Sequence, residues 1–195
     1  TLEEVKALPL GNGTVQDAVT DRSGITGEKM ELDGYCFVEG AVTSVYNHQN
    51  KNGLCTIAAF NKEVDAQLAK NIAMQIAAMN PKYWNKDQVP QADVDKELAV
   101  QVALMDNDPK MANKPAQVKE KIAQGKIAAF YKDICLLQQE FVRADLFKGD
   151  VAGYIADAAK KLGGKVAFID AIHYIKGEGI EKKEEDFAAE VAAQI

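Results

Sequence analysis

The sequence predicts an α+β fold in which small antiparallel sheets pack against helices. Three runs rich in β-branched and aromatic residues, 32–40, 41–47 and 53–60, come early in the chain, and a fourth, 165–176, comes near its end. The residues between the third and fourth runs carry apolar side chains at helical spacing. Strands followed by several helices and one further strand favour an antiparallel sheet, because parallel strands alternate with helices more regularly.

Two helices are predicted at the N-terminus. Residues 2–8 form a short helix that stops at Pro9, because proline cannot continue a helix. The loop PLGNG (9–13) follows. Thr14 then caps a second helix, which Gly24 ends.

A long hairpin loop joins the second and third strand runs. Its sequence, NHQNKNG (47–53), is polar, rich in asparagine and ends in glycine, which is typical of turns. We therefore expect an exposed and mobile tip at this position.

The segment 63–80 has the clearest helical pattern, and Pro81 ends it. One row of large apolar residues lies beside a row of alanines, so that the helix can pack closely on a sheet. The two rows are Val64, Leu68, Ile72 and Ile76, with Ala69, Ala73 and Ala77.

Two further helices, 93–106 and 116–134, are predicted to form an antiparallel hairpin because the turn NDPKMANKP (107–115) joins them. Gly125 interrupts the second of these helices at some cost in stability. Residues 149–162 form another helix. The last helix, EEDFAAEVAAQI, begins with three acidic residues that complement its N-terminal dipole.

The composition limits the class of protein. The chain has 195 residues, a net charge of −6 and a pI of about 5.0, which argues against nonspecific binding to nucleic acid. No apolar run approaches the roughly 20 residues that cross a bilayer, so no membrane span is predicted. Cys36, Cys55 and Cys135 lie in apolar surroundings and are predicted to be reduced core residues of an intracellular protein.

The sequence offers little catalytic chemistry. His48 and His173 lie far apart, and the motifs H-E-x-x-H, C-x-x-C and G-x-S-x-G are absent. GGKV at 163–166 lacks the first glycine and the hydroxyl of a phosphate-binding loop. We therefore predict no cofactor, no metal and no enzyme activity. His173 is interpreted as a sheet residue, and Trp84 either covers a helix end or contacts a partner.

The sequence GEG at 177–179 admits two interpretations, a phosphate-gripping loop or a hinge before the last helix. No third glycine opens the next helix at the spacing of a dinucleotide site, which excludes the phosphate loop. We expect a flexible turn that leads into the terminal helix.

Four segments of the chain resemble the bacterial translation elongation factor Ts family. They are TVQDAVTDRSGITGEK (14–29), IAMQIAAMNPKY (72–83), the helical hairpin with the leucine-glutamine segment after it (94–142), and GEGIEKKEEDFAAEVAAQI (177–195). The segments 72–83 and 177–195 are the most specific of the four. The resemblance implies a guanine nucleotide exchange factor that binds elongation factor Tu and promotes release of GDP without covalent chemistry.

The resemblance also implies a domain organisation. It comprises the remainder of an N-terminal subdomain (1–39), a C-terminal subdomain (40–92 and 136–178), an inserted helical hairpin (93–135) and a C-terminal module (179–195).

Two groups of residues are predicted from the resemblance to contact elongation factor Tu. The hairpin loop would contact its third domain through Tyr46, His48 and Asn50. The terminal helix would contact its GTP-binding domain through Phe187, Val191 and Ile195.

The chain also departs from the family's pattern. The family's N-terminal helical module and its threonine-aspartate-phenylalanine-valine motif are absent, and the run at 32–40 has no predicted strand to pair with. Together with the start at Thr1, this predicts a fragment of a longer factor. The alternative function is a binding module that self-associates into a homodimer and lacks exchange activity. The resemblance places the protein in the bacterial cytoplasm, or in an organellar matrix.

Overall fold

The computed structural model describes residues 1–179 of the chain. These residues belong to two compact units, of which the first is 1–38 and the second begins at Glu39. Across the described range the fold is α+β, as the sequence predicts, with helices packed on small antiparallel sheets. The predicted terminal helix lies outside the described residues.

The first unit contains two capped helices and a two-stranded ribbon. Helix α1 spans Leu2–Lys6, strands β1 and β2 span Pro9–Leu10 and Gly13–Thr14, and helix α2 spans Val15–Thr26. The loop predicted at 9–13 is thus a tight hairpin. Thr14 caps α2 as predicted, because its hydroxyl accepts a hydrogen bond from the Asp17 N–H.

Helix α2 ends later than the sequence predicts. Gly24 lies inside the helix, and the residue that ends it is Gly27, whose φ of 73° is the left-handed cap conformation that favours glycine. The prediction placed the end one turn early because it assigned the stop to the first glycine of two.

The second unit is built on a three-stranded antiparallel sheet. Its strands are β3 (Val42–Asn47), β4 (Leu54–Phe60) and β5 (Phe168–Ile175), in the order β3-β4-β5. Strand β4 lies in the centre. Its residue Thr56 pairs with Tyr46 of β3 on one side and with His173 of β5 on the other. This sheet contains three of the four predicted strand runs.

Four long helices complete the second unit in the described range. Helix α3 (Ala66–Met79) packs on the sheet, α4 (Gln91–Asn107) and α5 (Ala116–Ile134) form the predicted antiparallel hairpin, and α6 (Val151–Lys161) adjoins the core. The core side chains with almost no exposure include Phe60, Ile72, Ile76, Leu136, Phe141 and Val151.

The prediction of a strand at 32–40 is wrong. Residues 29–40 have no regular secondary structure, and Phe37 is 69% exposed. A strand requires a neighbour that satisfies its backbone hydrogen bonds, and no described segment pairs with this run. Its β-favouring composition is therefore insufficient to make it a strand.

The three cysteines differ in their burial. Cys135 is fully buried, as predicted, and its burial raises the pKa of its thiol, which keeps it protonated and unreactive. Cys55 is half-buried, and Cys36 is exposed. The prediction of three core cysteines is thus wrong for Cys36, because the run that contains it does not enter a sheet.

None of the helices within residues 1–179 is both long and apolar enough to cross a membrane.

Candidate partner-binding surface

The turn between β3 and β4 is exposed at its tip, as the sequence predicts. It begins with a short 3₁₀ turn, His48–Asn50, and returns to the sheet at Leu54. Asn47 and Asn52 close it, because the Asn52 N–H donates to Asn47 Oδ1 at 3.1 Å and the Asn47 amide donates to Asn52 Oδ1. The turn is therefore held in shape by its own side chains.

The backbone of this turn is strained. Gln49, Asn50 and Asn52 have φ values of 53°, 55° and 53°, in the left-handed region that residues other than glycine seldom occupy. Strain of this kind is found where a structure must present groups in a fixed arrangement. Gln49 and Asn50 are exposed in this arrangement.

Two of the predicted contact residues interact with each other at the base of the turn. The Tyr46 hydroxyl and His48 Nδ1 are hydrogen-bonded at 2.9 Å, and the two rings are tilted with centroids 6.0 Å apart. Tyr46 also packs against the core of the second unit. The core thereby fixes Tyr46, and Tyr46 in turn orients His48.

A cleft lies beside the turn, against the C-terminal half of α3. Tyr46 and His48 line one side of it. The remaining lining residues come from β4, from α3 and from the segment after α5: Leu54, Met74, Ala77, Ala78, Val142 and Arg143. The cleft has a volume of about 430 Å³, within the range of sites that accept a small ligand or a partner's side chain.

Gln75, which is fully buried, holds one wall of the cleft in place. Its Oε1 accepts a hydrogen bond from the Val142 N–H at 2.8 Å, and its Nε2 donates to the Glu140 carbonyl at 3.1 Å and to Gln139 Oε1 at 3.3 Å. Buried polar groups of this kind fix a unique geometry when every bond is satisfied. Gln75 thus attaches the segment 139–142 to α3.

Arg143 lies at the rim of the cleft and is oriented by a neighbour. Its guanidinium donates two hydrogen bonds to the Asp145 carboxylate, at 2.8 and 2.7 Å. This pair lowers the pKa of Asp145 and raises the pKa of Arg143, because each charge stabilises the other. These bonds use two of the five guanidinium N–H groups.

His173 is not among the residues that line the cleft, and its environment is structural. Its Nδ1 is hydrogen-bonded to Oδ1 of Asn80, the left-handed residue that caps α3, at 3.0 Å. Burial lowers the pKa of its imidazole, and Glu178 acts against that shift. Trp84 is likewise structural, since its indole donates to Asp170 and packs edge-on against Phe168.

The sequence prediction located the turn but missed most of the cleft. Tyr46 and His48 lie at the cleft, Asn50 is exposed at the tip, and their contact with a partner stays a prediction. Phe187, Val191 and Ile195 lie outside the described residues. In α3, Met74, Ala77 and Ala78 lie at helical spacing beside the buried core residues, and this pattern indicates the wall of the cleft that α3 forms. Val142 and Arg143 carried no such signal because their positions depend on the buried Gln75.

The comparisons with known proteins agree on one family. The family model described as Elongation factor TS matches residues 1–178. The chain is 46% identical to elongation factor Ts of Bacteroides thetaiotaomicron and 47% identical to that of Phocaeicola vulgatus, and each match covers 72% of this chain. It is 38% identical to elongation factor Ts of a Nitratiruptor species over 100% of this chain.

The chain therefore belongs to the elongation factor Ts family. It spans 58% of the length of the Bacteroides and Phocaeicola proteins and 65% of the length of the Nitratiruptor protein.

Proposed function

We propose that the chain binds elongation factor Tu and promotes release of GDP from it. The family match over residues 1–178 carries this proposal, since it includes the whole described fold together with the β3–β4 turn. An exchange factor needs no covalent chemistry. It binds the nucleotide-free state of its partner more tightly than the nucleotide-bound state, and this preference lowers the partner's affinity for the nucleotide.

The predicted domain organisation assigns the two proposed contacts to different parts of the chain. Residues 40–92 and 136–178 form the subdomain that presents the turn, and the hairpin at 93–135 is an insertion in it. Residues 179–195 supply the second contact through Phe187, Val191 and Ile195. The protein then acts where translation takes place, in the bacterial cytoplasm.

Release of a fluorescent GDP analogue from elongation factor Tu tests the proposal. We expect the chain to bind the partner and to increase the release rate in a concentration-dependent manner. A chain that binds but leaves the release rate unchanged would support the binding-module alternative. A chain that neither binds nor accelerates release would overturn the assignment.

Two double variants and one control variant locate the contacts. The turn variant Tyr46→Ala with Asn50→Ala is expected to weaken binding by about tenfold, equivalent to about 1.4 kcal/mol, whereas Lys126→Ala on the helical hairpin leaves it unchanged. The pair Phe187→Ser and Val191→Ser tests the terminal contact in the same assay. Unchanged affinity in either pair would remove that segment from the interface.

A second candidate function, self-association into a homodimer, is favoured by the face of the sheet opposite α3. Val45, Ile57 and Ile172 form one cross-strand row there, and Val45 is 64% exposed. Ile57 and Ile172 are half-buried, so Val45 forms the exposed end of this row, and exposed apolar surface is a common feature of interfaces between proteins. Light scattering over a range of concentrations would reveal a dimer, and Val45→Lys would abolish it; a constant monomer mass would exclude this candidate.

A further inference from the structure

We propose that the turn between α6 and β5 is a binding site for a compact polyphosphate, which is either an inorganic polyphosphate anion or the phosphate chain of a nucleotide. The site consists of three lysines, Lys62, Lys160 and Lys165, which we call the lysine cluster, and of an open groove beside the end of α6. The proposal goes beyond the proposed function, since it requires neither elongation factor Tu nor the β3–β4 turn.

Backbone hydrogen bonds hold the turn in shape. The Gly163 N–H donates to the Lys160 carbonyl at 3.3 Å, and the Gly164 N–H donates to the Ala159 carbonyl at 3.2 Å. Gly163 has a φ of 66°, the left-handed conformation that favours glycine after a helix. Lys160 and Lys165, which precede and follow the two glycines, both line the groove. The turn therefore fixes the positions from which two of the three lysines extend.

The third lysine comes from a distant part of the chain. Asn61, which follows β4, is bonded twice to Ala167, because its N–H donates to the Ala167 carbonyl at 3.1 Å and its Oδ1 accepts from the Ala167 N–H at 2.8 Å. These bonds hold the backbone of Lys62 beside the turn. Its Nζ lies against Gly164, in the space where a Cβ at that position would begin. Glycine at position 164 thus permits the Lys62 ammonium to reach the turn.

The charges of the lysine cluster are not paired within the described part of the chain. None of its three ammonium groups forms an ion pair with residues 1–179, whereas the neighbouring Lys161 pairs with Asp157 at 2.9 Å. The described lining of the groove contains no carboxylate. Because like charges repel, a cluster of this kind attracts an anion.

The dipole of α6 accounts for only part of the cluster. A helix C-terminus favours nearby cations, and Lys160 lies in the last turn of α6. Lys62 and Lys165 lie outside that helix, and they come from segments about a hundred residues apart in the sequence. The chain as a whole has a charge of −6, so the composition does not predict three unpaired cations at one turn.

The arrangement of the cluster identifies a compact ligand. Proteins that follow a single nucleic-acid strand present cationic side chains along a stripe or channel, whereas these lysines surround one turn. A lysine ammonium binds phosphate as a point charge, so several ammonium groups match a ligand whose phosphoryl groups are linked together. The groove has a volume of about 470 Å³, within the range of small-molecule sites.

Titration with inorganic tripolyphosphate, followed by the amide resonances of the unmodified chain at low salt, locates the site. We expect saturable shifts confined to Lys62 and the turn 162–167, and much smaller shifts with sulfate at equal ionic strength. Shifts of equal size on the lysines of α5, or with sulfate, would show nonspecific attraction of anions and would overturn the site.

Two double variants of equal charge test the lysine cluster. We expect Lys62→Ala with Lys165→Ala to weaken tripolyphosphate binding about fivefold or more, and Lys121→Ala with Lys126→Ala, on α5, to remain within about twofold of the unmodified chain. Equal affinities of the two variants would overturn the proposal. All four positions are exposed, so each variant is expected to keep the melting temperature of the unmodified chain when no ligand is present. Tripolyphosphate should then raise the melting temperature of the α5 variant but not that of the cluster variant.

Two further probes distinguish the sources of the phosphate. Adenosine triphosphate without magnesium that binds more tightly than tripolyphosphate would identify a nucleotide, and weaker or equal binding would identify an inorganic polyphosphate. A single-stranded RNA that binds more tightly than both, with an affinity that increases with its length, would overturn the compact ligand. None of these measurements involves elongation factor Tu, so their outcome is independent of the proposed exchange activity.

Discussion

The two units of the chain are stabilised by different interactions. None of the residues 1–38 is fully buried, and their helices are defined by capping boxes at Thr1 and Thr14. The second unit, within its described residues, has a core in which Phe60, Ile72 and Ile76 have no exposed surface. The first unit therefore depends on local hydrogen bonds, whereas the second depends on burial between segments far apart in sequence.

This difference explains where a partner-binding surface can form. A fixed cleft needs walls from distant segments, and only buried contacts such as those of Gln75 hold distant segments together. Local caps stabilise a helix but do not position it against another element.

Removing the same side chain from the two units should have very different effects. Ile72→Ala opens a cavity under α3 and is expected to lower the free energy of unfolding by about 2–5 kcal/mol. Ile25→Ala, at a residue of α2 that is 72% exposed, is expected to change it by less than about 0.5 kcal/mol. Urea unfolding followed by circular dichroism measures both. Comparable losses would show that the first unit has a core of its own.

Removing a helix cap from either unit is expected to affect stability less than removing a core side chain does. The Thr14 hydroxyl caps α2 in the first unit, and the Asp150 carboxylate caps α6 in the second by accepting from the Gly153 N–H at 2.7 Å. Each change to alanine is expected to lower the free energy of unfolding by about 1 kcal/mol. The two variants should differ in which part of the chain is destabilised.

Hydrogen exchange distinguishes the two outcomes of these cap variants. Thr14→Ala should raise amide exchange in α2 alone, whereas Asp150→Ala should lower the stability of the whole second unit because α6 adjoins the core. A global effect of Thr14→Ala would mean that the second unit depends on α2.

Substitutions at three glycines, two in the first unit and one in the second, are expected to change helix stability by smaller amounts. Gly125 in α5 and Gly24 in α2 both have open space where a Cβ would lie, so Gly→Ala at either position should stabilise its helix by about 0.5–1 kcal/mol. Gly27→Ala should destabilise α2, because a φ of 73° is unfavourable for alanine. Thermal unfolding measures Gly125→Ala, and exchange in α2 measures the other two. A stabilising Gly27→Ala would contradict the assigned cap.

The sequence was sufficient to predict the second unit's sheet and helices because their patterns are long and periodic. The stripe through Leu68, Ile72 and Ile76 is buried along its whole length, and the helical hairpin has the predicted second helix, Ala116–Ile134. The run at 32–40 shows the opposite case. Its composition favours a strand, but a strand is a property of a pair, and the described residues provide no second member.

The cleft was harder to predict than the turn for a related reason. Tyr46 and His48 lie within one loop whose chemistry is local, so a short sequence identifies it. Arg143 reaches the same place only through a fold in which Gln75 bonds the Val142 N–H, 67 residues away. No periodic pattern records a single buried hydrogen bond between distant segments.

Acid should affect the two units differently, with a smaller change in stability than the core and cap substitutions cause. In the second unit, burial lowers the folded-state pKa of His173 below its ordinary value of about 6.5, with Glu178 acting against the shift. The unfolded chain then binds a proton more readily than the folded one, so this contribution to stability is present above pH ~6.5 and is lost as pH falls through the folded pKa. In the first unit, hydrogen bonds from Thr14 lower the pKa of Asp17, so the cap persists until the pH falls below about 4.

Thermal unfolding between pH 7 and 5 measures this difference. The melting temperatures of the unmodified chain and of His173→Gln should converge as the pH falls, while the α2 amide resonances stay unchanged in both. A difference between the two proteins that is constant over this range would show that His173 contributes only through packing and its bond to Asn80.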